Sequence, residues 1–495
     1  MVMVEAKKTL AMAARRSFQS QLRFFKVHRS ATMFDVLNPA TGQTIAELPD
    51  DSAEEVAAKF GVLVAGQKRW KAVPLAERRE VLERFNELLR LNMPTLAKTL
   101  TTEMGKPTAQ AKNEVRATVD RVNFYLENYE KVLKEHTVLE TTRVKEKVLY
   151  EPLGVVANIS AWNYPYFVSA NVFAAALLTG NAVLYKPSEY ASLTGFEISR
   201  LLYEAGVPND VFVMSTGRGG TGSAVASLKG LGGLYFTGSY KTGIEIASHT
   251  APNLVKVQLE LGGKDPAYVR KDVPNVAAAA LSIADGAFYN CGQSCCSVER
   301  VYVDKQIYGE FLDHFTKIVK SFKVGDPLEP ETYIGPVARR AHLSFLASQV
   351  KDAMDKGAHA ILHTGLESSA FADGFYFPPT VLTDVNHTMQ VMRDESFGPL
   401  IGIQAVDRDE EALTLMKDTP YGLTASVFCK HSIDAEEILR ELDVGTGYWN
   451  CCDRVSPRLP WSGRRGSGLG TTIGSINGLR TFVQPKAIFL QHPTP

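Results

Sequence analysis

Gly154-Val155-Val156-Ala157-Asn158-Ile159-Ser160-Ala161-Trp162-Asn163-Tyr164-Pro165 is an apolar run that follows Pro152 and gives way to a polar turn. A run this short, bounded by breakers, predicts a buried strand rather than a helix. The same pattern returns at Ala182 to Tyr185, Val211 to Met214, Leu234 to Phe236 and Val255 to Leu261, with helical stretches between them. Strand and helix alternating at this spacing predict an α/β fold: a Rossmann-like parallel sheet with helices on both faces, whose ligands sit beyond the carboxyl ends of the strands.

Working outward, Ala53 to Phe60, Leu75 to Leu91, Pro94 to Glu103 and Gln110 to Lys131 carry apolar residues at helical spacing. Thr137 to Tyr150 alternates polar and β-branched residues and predicts a projecting strand pair outside any core sheet. Downstream, helices are expected at Val276 to Phe288, Ile307 to Phe322, Arg339 to Lys356 and Asp409 to Lys417. Strands are expected at Arg300 to Val303, Pro378 to Val385, Leu400 to Gln404 and Ala487 to Leu490. This suggests a second α/β unit.

A chain of 495 residues is too long for one ordinary core. Lys+Arg and Asp+Glu both number 54, so no global basic field exists to hold nucleic acid. The six cysteines form neither a disulfide framework nor the paired CxxC spacing of a structural zinc site, so no metal is expected. No apolar window reaches membrane-spanning length. The first thirty or so residues carry Lys7, Lys8, Arg15, Arg16, Arg23, Lys26 and Arg29 against the single acid Glu5, with interspersed serines. That is presequence composition; a basic tail is the plain alternative.

The strand ends hold the candidate chemistry. Thr237-Gly238-Ser239 opens a helix, and is either a phosphate site at a helix N-terminus or a turn with a serine cap. Lys186-Pro187-Ser188-Glu189 is either a pair of ribose ligands, with the acid disfavouring a 2′-phosphate, or a solvated turn. Asn163 offers a neutral amide that could hold an oxyanion, or satisfies the turn before Pro165. Cys291-Gly292-Gln293-Ser294-Cys295-Cys296 and the upstream Glu260-Leu261-Gly262-Gly263-Lys264 bring a thiol and a carboxylate, which suits covalent catalysis with a general base.

Together, Asn-Tyr-Pro, Lys-Pro-Ser-Glu, Phe-Thr-Gly-Ser, Glu-Leu-Gly-Gly-Lys, Gly-Gln-Ser-Cys and Glu-Ser-Phe-Gly-Pro occur in that order between Asn163 and Pro399. The series resembles the aldehyde dehydrogenase superfamily, in its hydrolytic rather than coenzyme A-acylating branch, from Asn38 onward. The resemblance implies that Cys295 attacks the aldehyde and that Asn163 and the Cys295 backbone N–H hold the oxyanion. Hydride then leaves to the nicotinamide, and Glu260 activates the water that hydrolyses the thioester. It implies NAD as cofactor, with NADP admissible, bound by Ile159, Ser160, Trp162, Lys186, Ser188, Glu189, Gly222, Phe236, Gly238, Ser239, Leu261, Glu395 and Phe397. Lys264 is expected to be structural, and Cys291 and Cys296 inert.

On the substrate side, the resemblance places Tyr164, Val168, Asn171, Cys296, Val455 and Trp461 along a tunnel. Asn171 and Val455 depart from the aromatic residues often found there. Arg121 and Arg454, with Arg458, either bind a distal carboxylate, as in succinic semialdehyde, or make surface and subunit contacts. The implied division is 33–133 and 154–261 for the cofactor domain, 262–477 for the catalytic domain, and 134–153 with 478–495 for oligomerisation. The partner is a small-molecule aldehyde, with the chain a homodimer or homotetramer whose hairpin and C-terminal strand pair between subunits. The tail 1–32 suggests a mitochondrial location, with cytoplasmic the alternative. A cysteine hydrolase, or a binding protein that retains the fold without turnover, are the competing classes.

Overall fold

The structure is a computed structural model that describes residues 32–363 and 372–492. The basic presequence-like segment lies outside the described residues, apart from Thr32. A short antiparallel pair, Met33–Leu37 with Thr44–Pro49, leads into the helix Ala53–Ala72. Ser52 starts that helix with a capping box: its hydroxyl accepts from the Glu55 amide at 3.2 Å while Glu55 accepts from the Ser52 amide at 2.8 Å. The helix extends well past the expected Phe60 because Leu63, Gly66 and Trp70 continue its buried face, and Trp70 donates to the Leu177 carbonyl at 2.9 Å.

The two helices expected on either side of Pro94 are one helix, Leu75–Met104. Proline costs the helix a hydrogen bond, but Leu96, Ala97, Leu100 and Met104 bury the same stripe as Leu82, Phe85 and Leu89. Tertiary burial outweighs the local break. Gly105, at φ +86°, ends it in the left-handed conformation.

The central sheet runs in the order Gly468–Leu469, Lys256–Glu260, Gly233–Thr237, Val155–Ile159, Ala182–Lys186, Phe212–Met214. The last five are parallel, and chain order reverses at Val155–Ile159, whose neighbours come one from each direction of the winding. That reversal opens a crevice at the carboxyl ends. Val155–Ile159 and Ala182–Lys186 are buried throughout, which is why they read as continuous apolar runs. Gly468–Leu469, expected in the second unit, instead adds an antiparallel edge to this sheet, with Gly468 opposite Glu260.

The second sheet has seven strands, six of them parallel, in the order His359–His363, Thr380–Thr383, Leu400–Val406, Val298–Asp304, Asp265–Val269, Thr424–Phe428, Thr446–Trp449. The hairpin is present as His136–Glu140 and Val144–Pro152. The expectation that the C-terminal strand pairs with it across subunits is corrected: Val483–Gln491 pairs with Val144–Pro152 of the same chain, from Val483 opposite Pro152 to Gln491 opposite Val144. The helix Ser475–Arg480 delivers the strand there, so the pairing closes within one chain. No helix among the described residues is long and apolar enough to cross a membrane.

Candidate active site

A cleft of about 650 Å³ lies at the carboxyl end of the parallel sheet. Its wall includes Ile159, Ser160, Trp162 and Asn163 from the turn after the central strand, and Lys186, Ser188 and Glu189 from the next. It also includes Phe236, Gly238 and Ser239 from the third, and Glu260 and Leu261 from the fourth. Gly222, Cys295, Glu395 and Phe397 complete the set expected from sequence. Every residue expected to touch the cofactor therefore lines one space, together with the expected catalytic three.

Ser239 is a helix cap that also lines the cleft. Its hydroxyl accepts from the Thr242 amide at 3.3 Å as the cap of the helix Tyr240–Thr250, and that N-terminus faces the cleft. Lys186 is buried, which depresses its ammonium pKa against the opposing pull of Glu189, Asp50 and Asp51. Its charge faces the cleft from the end of its strand. Ser188 caps the short turn Glu189–Ala191, which fixes Glu189 beside it.

Of the three clustered thiols, Cys291 and Cys296 are buried, while Cys295 is partly open and alone lines the cleft. The loop that presents it is tightly wound: Asn290, Cys291 and Gly292 have φ of +54°, +59° and +69°. Left-handed conformations cost a non-glycine residue roughly 1–2 kcal/mol, so the loop is held from outside. Asn290 does this. Its amide N–H donates to Gln110 Oε1 at 2.8 Å, and its side chain donates to the carbonyls of Gln293 at 3.0 Å and Asn163 at 3.2 Å. The same carbonyl of Asn163 accepts from the buried Lys106 ammonium at 2.7 Å, while Asn163 Nδ2 donates to Gln293 at 3.2 Å. The thiol loop and the amide are thus knotted to one frame. Lys106 is itself paired with Glu114, which caps the helix Pro165–Leu178 by accepting from Tyr166 N at 2.8 Å.

Glu260 is buried. Burial pushes its carboxyl up to about 8, opposed by the Gln258 amide, which donates to Oε1 at 2.7 Å, and by the Gly463 backbone. The other oxygen, Oε2, is buried with no hydrogen-bond partner among the described residues. A carboxylate with one oxygen anchored and one free, poised near neutrality, has the attributes of a general base.

Glu395 and Phe397 are placed by Lys264, as a structural role for that lysine predicts. Lys264 donates to Glu299 at 2.7 Å and to Ser396 Oγ at 3.0 Å, and Glu299 in turn accepts from Ser396 N at 2.7 Å and Phe397 N at 2.8 Å. Glu395 itself accepts from Gly263 N at 3.0 Å, and burial raises its pKa. Phe397, at φ +51°, packs edge-on against Trp162 with ring centres 5.4 Å apart.

Part of the wall comes from residues that no sequence motif marks. Arg218 enters from the start of Gly219–Ala226, tied to Asp50 through Nε at 2.9 Å. Arg339 lies over the rings of Trp162 and Tyr190, at 5.7 and 5.9 Å. His342, Phe345, Glu245 and His249 add to it. Such residues carry no local signature, because their helices meet the cleft only after folding.

The eight expected substrate residues do not line this cleft. Tyr164, Val168 and Asn171 lie on one face of the helix Pro165–Leu178 and its cap, with Tyr164 under the Lys106 ammonium at 3.6 Å. Cys296 donates to Asp453 at 3.0 Å; Trp461 is buried and Val455 partly so. Burial pushes the Asp453 carboxyl up to about 7. The three arginines separate: Arg121 is buried, whereas Arg454 and Arg458 are exposed.

Residues 26–488 match the model of the aldehyde dehydrogenase family. The chain belongs to that family. It is similar to lactaldehyde dehydrogenase of Escherichia coli, with 32% identity over 94% of this chain and 97% of the relative. A structure of 3,6-anhydro-L-galactose dehydrogenase in complex with NAP superposes with a TM-score of 0.90 at 30% identity, covering 93% of this chain and 97% of that one. Betaine aldehyde dehydrogenase of Staphylococcus aureus in complex with NAD+ gives a TM-score of 0.90 at 26% identity over 94% of each chain. This aldehyde dehydrogenase accordingly oxidises an aldehyde to the acid with a nicotinamide cofactor.

One test of the loop geometry concerns Gly292. A Cβ there would stand 2.1 Å from the Gly398 carbonyl oxygen, at a φ that side chains avoid. Gly292→Ala is expected to lower aldehyde turnover about 100-fold by displacing the thiol. The urea midpoint should drop as well, by more than about 1 kcal/mol equivalent.

Proposed function

We propose that the chain is a hydrolytic, NAD-linked aldehyde dehydrogenase whose reaction runs through a thioester on Cys295. One observation carries this: Cys295, Asn163 and Glu260 meet at the same cleft as every residue expected to hold the dinucleotide. Cys295 attacks the carbonyl carbon, forming a thiohemiacetal. The developing oxyanion is met by the Asn163 amide, which the Lys106 and Asn290 bonds to its carbonyl hold in place. A nicotinamide held beside Glu395 and Phe397 would supply the hydride acceptor that turns the thiohemiacetal into the thioester. Glu260 then takes a proton from water attacking the thioester, and the carboxylic acid leaves as the thiol is restored.

The fit for a dinucleotide rests on the residues present. The cleft is at the reversal of the sheet, Ser239 and its helix N-terminus suit a pyrophosphate, Lys186 and Glu189 suit an adenine ribose, and Glu395 with Phe397 suit the nicotinamide ribose and ring. Glu189 supports NAD over NADP, because its carboxylate opposes a 2′-phosphate, although Arg218 shares that wall. The projecting sheet with its exposed Val138, Leu139, Phe489 and Leu490 supports a homo-oligomer. Relatives in Escherichia coli and Vibrio support the cytoplasmic location over the mitochondrial one.

The experiment is cofactor reduction monitored at saturating aldehyde with the product identified. The expected result is one free acid per NADH formed, no requirement for coenzyme A, and higher kcat/KM with NAD than with NADP. A coenzyme A requirement would refute hydrolysis, and aldehyde-independent chemistry would refute the assignment as a whole.

A further inference from the structure

Arg121 is a deeply buried cation, 1% exposed, whose guanidinium finds no hydrogen-bond partner among the described residues. The other cations buried as completely are satisfied. Lys106 reaches Glu114 and the Asn163 carbonyl, Lys264 reaches Glu299 and Ser396, and Arg300 donates to the carbonyls of Lys264, Leu415 and Met416 at 2.9, 3.1 and 3.2 Å. A guanidinium keeps its charge when buried, and an uncompensated buried charge is among the costliest features a fold can carry.

Its surroundings do not supply the missing charge. Arg121 lies over the Phe167 ring at 5.1 Å, and the polar side chain it acts on is Tyr125, one turn further along the helix Thr108–Asn128. The Tyr125 hydroxyl is neutral and is already directed to the carbonyls of Asn171 and Ile473, both at 3.1 Å. Asn171 is buried too, and its Oδ1 has no partner. Rotation of that amide would present its N–H groups as donors in the same region.

The position relative to the thiol matters. Tyr164, Phe167, Val168 and Asn171 follow helical spacing of three, four and seven, so they form one stripe. At one end is Asn163, tied to the Cys295 loop through Gln293; Phe167 and Val168 in the middle are only partly buried; Arg121 covers Phe167. The stripe thus leads from the frame of the thiol loop to the ring that the unpaired cation covers.

We infer that Arg121 is the anchor for an anionic group at the far end of the substrate, so that this enzyme acts on aldehydes carrying a distal carboxylate. The inference rests on the reading of Cys295 as nucleophile. A carboxylate entering along the stripe would accept two parallel N–H bonds from the guanidinium, which satisfies a charge the fold leaves open. The exposed Arg454 and Arg458 do not take this role.

The test compares two series of matched chain length, ω-carboxy aldehydes from three to six carbons and the corresponding n-alkanals, in the wild type and in Arg121→Met and Arg121→Lys. At one chain length the wild type should prefer the carboxylated aldehyde by roughly 10- to 100-fold in kcat/KM, chiefly through KM. Arg121→Met should erase that ratio, and Arg121→Lys should restore part of it. A wild-type ratio near one at every length would overturn the inference, as would an unchanged ratio in Arg121→Met. Should Arg121→Met fail to fold, the wild-type ratio still decides. Turnover of n-alkanals without any carboxylate preference would sink this inference and leave the thioester mechanism standing, whereas absence of turnover with both series would count against that mechanism too.

Discussion

Cys295→Ala is expected to lower aldehyde-dependent cofactor reduction by on the order of 10⁴-fold or more, because removing a nucleophile removes the covalent route and not merely one contact. The neighbouring thiols cannot substitute. Cys291 is buried, and that burial drives its thiol well above the ordinary range. Cys296 is likewise raised, by its contact with Cys295, by burial and by Asp453. A thiol held protonated attacks carbonyls poorly. Cofactor binding, read by fluorescence quenching, should survive in Cys295→Ala, since the residues proposed to hold the dinucleotide do not include Cys295. Turnover within tenfold of wild type would show that another group is the nucleophile.

Glu260→Gln separates the two halves of the reaction. With the base gone, attack and oxidation proceed once, so rapid mixing should show one NADH formed per active site followed by a steady rate lowered about 10²- to 10⁴-fold. The wild-type pH dependence follows from the same group. Its carboxyl, at about 8, must be ionised to accept a proton, so deacylation should rise with pH through about 8 and level off above it. The sign for stability is the reverse. A carboxyl raised above its unfolded value favours the native state at low pH, and that contribution is lost as pH passes through about 8. A steady rate that falls between pH 7 and 9 would argue against Glu260 as base.

Much of the cleft wall was readable in sequence because its parts sit at strand ends. Asn163, Lys186, Ser239 and Glu260 each follow a short apolar run, and a parallel sheet gathers such positions at one edge. What arrives from elsewhere was not readable. Arg218 and Arg339 begin helices with no motif of their own, and Gly468–Leu469 is too short to announce itself as the edge strand beside Glu260. Strands such as Thr424–Phe428 and Thr446–Trp449 hide for a related reason: Ser426, Gly447 and their neighbours break the apolar pattern, and pairing within the sheet supplies what propensity does not.

Two further differences are matters of context. Pro94 predicted a break, but the buried stripe continuing through Leu96 and Leu100 outweighs one lost hydrogen bond. The C-terminal strand was recognisable as a strand, yet its partner was not, since pairing within a chain and between chains looks the same in sequence. Arg121 shows the same limit in a side chain. Sequence offered three arginines without direction; folding buries one and leaves two in solvent.

The proposed reaction turns on a covalent intermediate at Cys295 that Glu260 resolves. Intact-protein mass spectrometry of Glu260→Gln, quenched in acid seconds after mixing with an aldehyde and NAD, tests this most directly. The prediction is a single adduct with the mass of the acyl group, located on Cys295 by digestion and absent from a sample without NAD. An unmodified chain despite stoichiometric NADH release, or an adduct on any other residue, would contradict it.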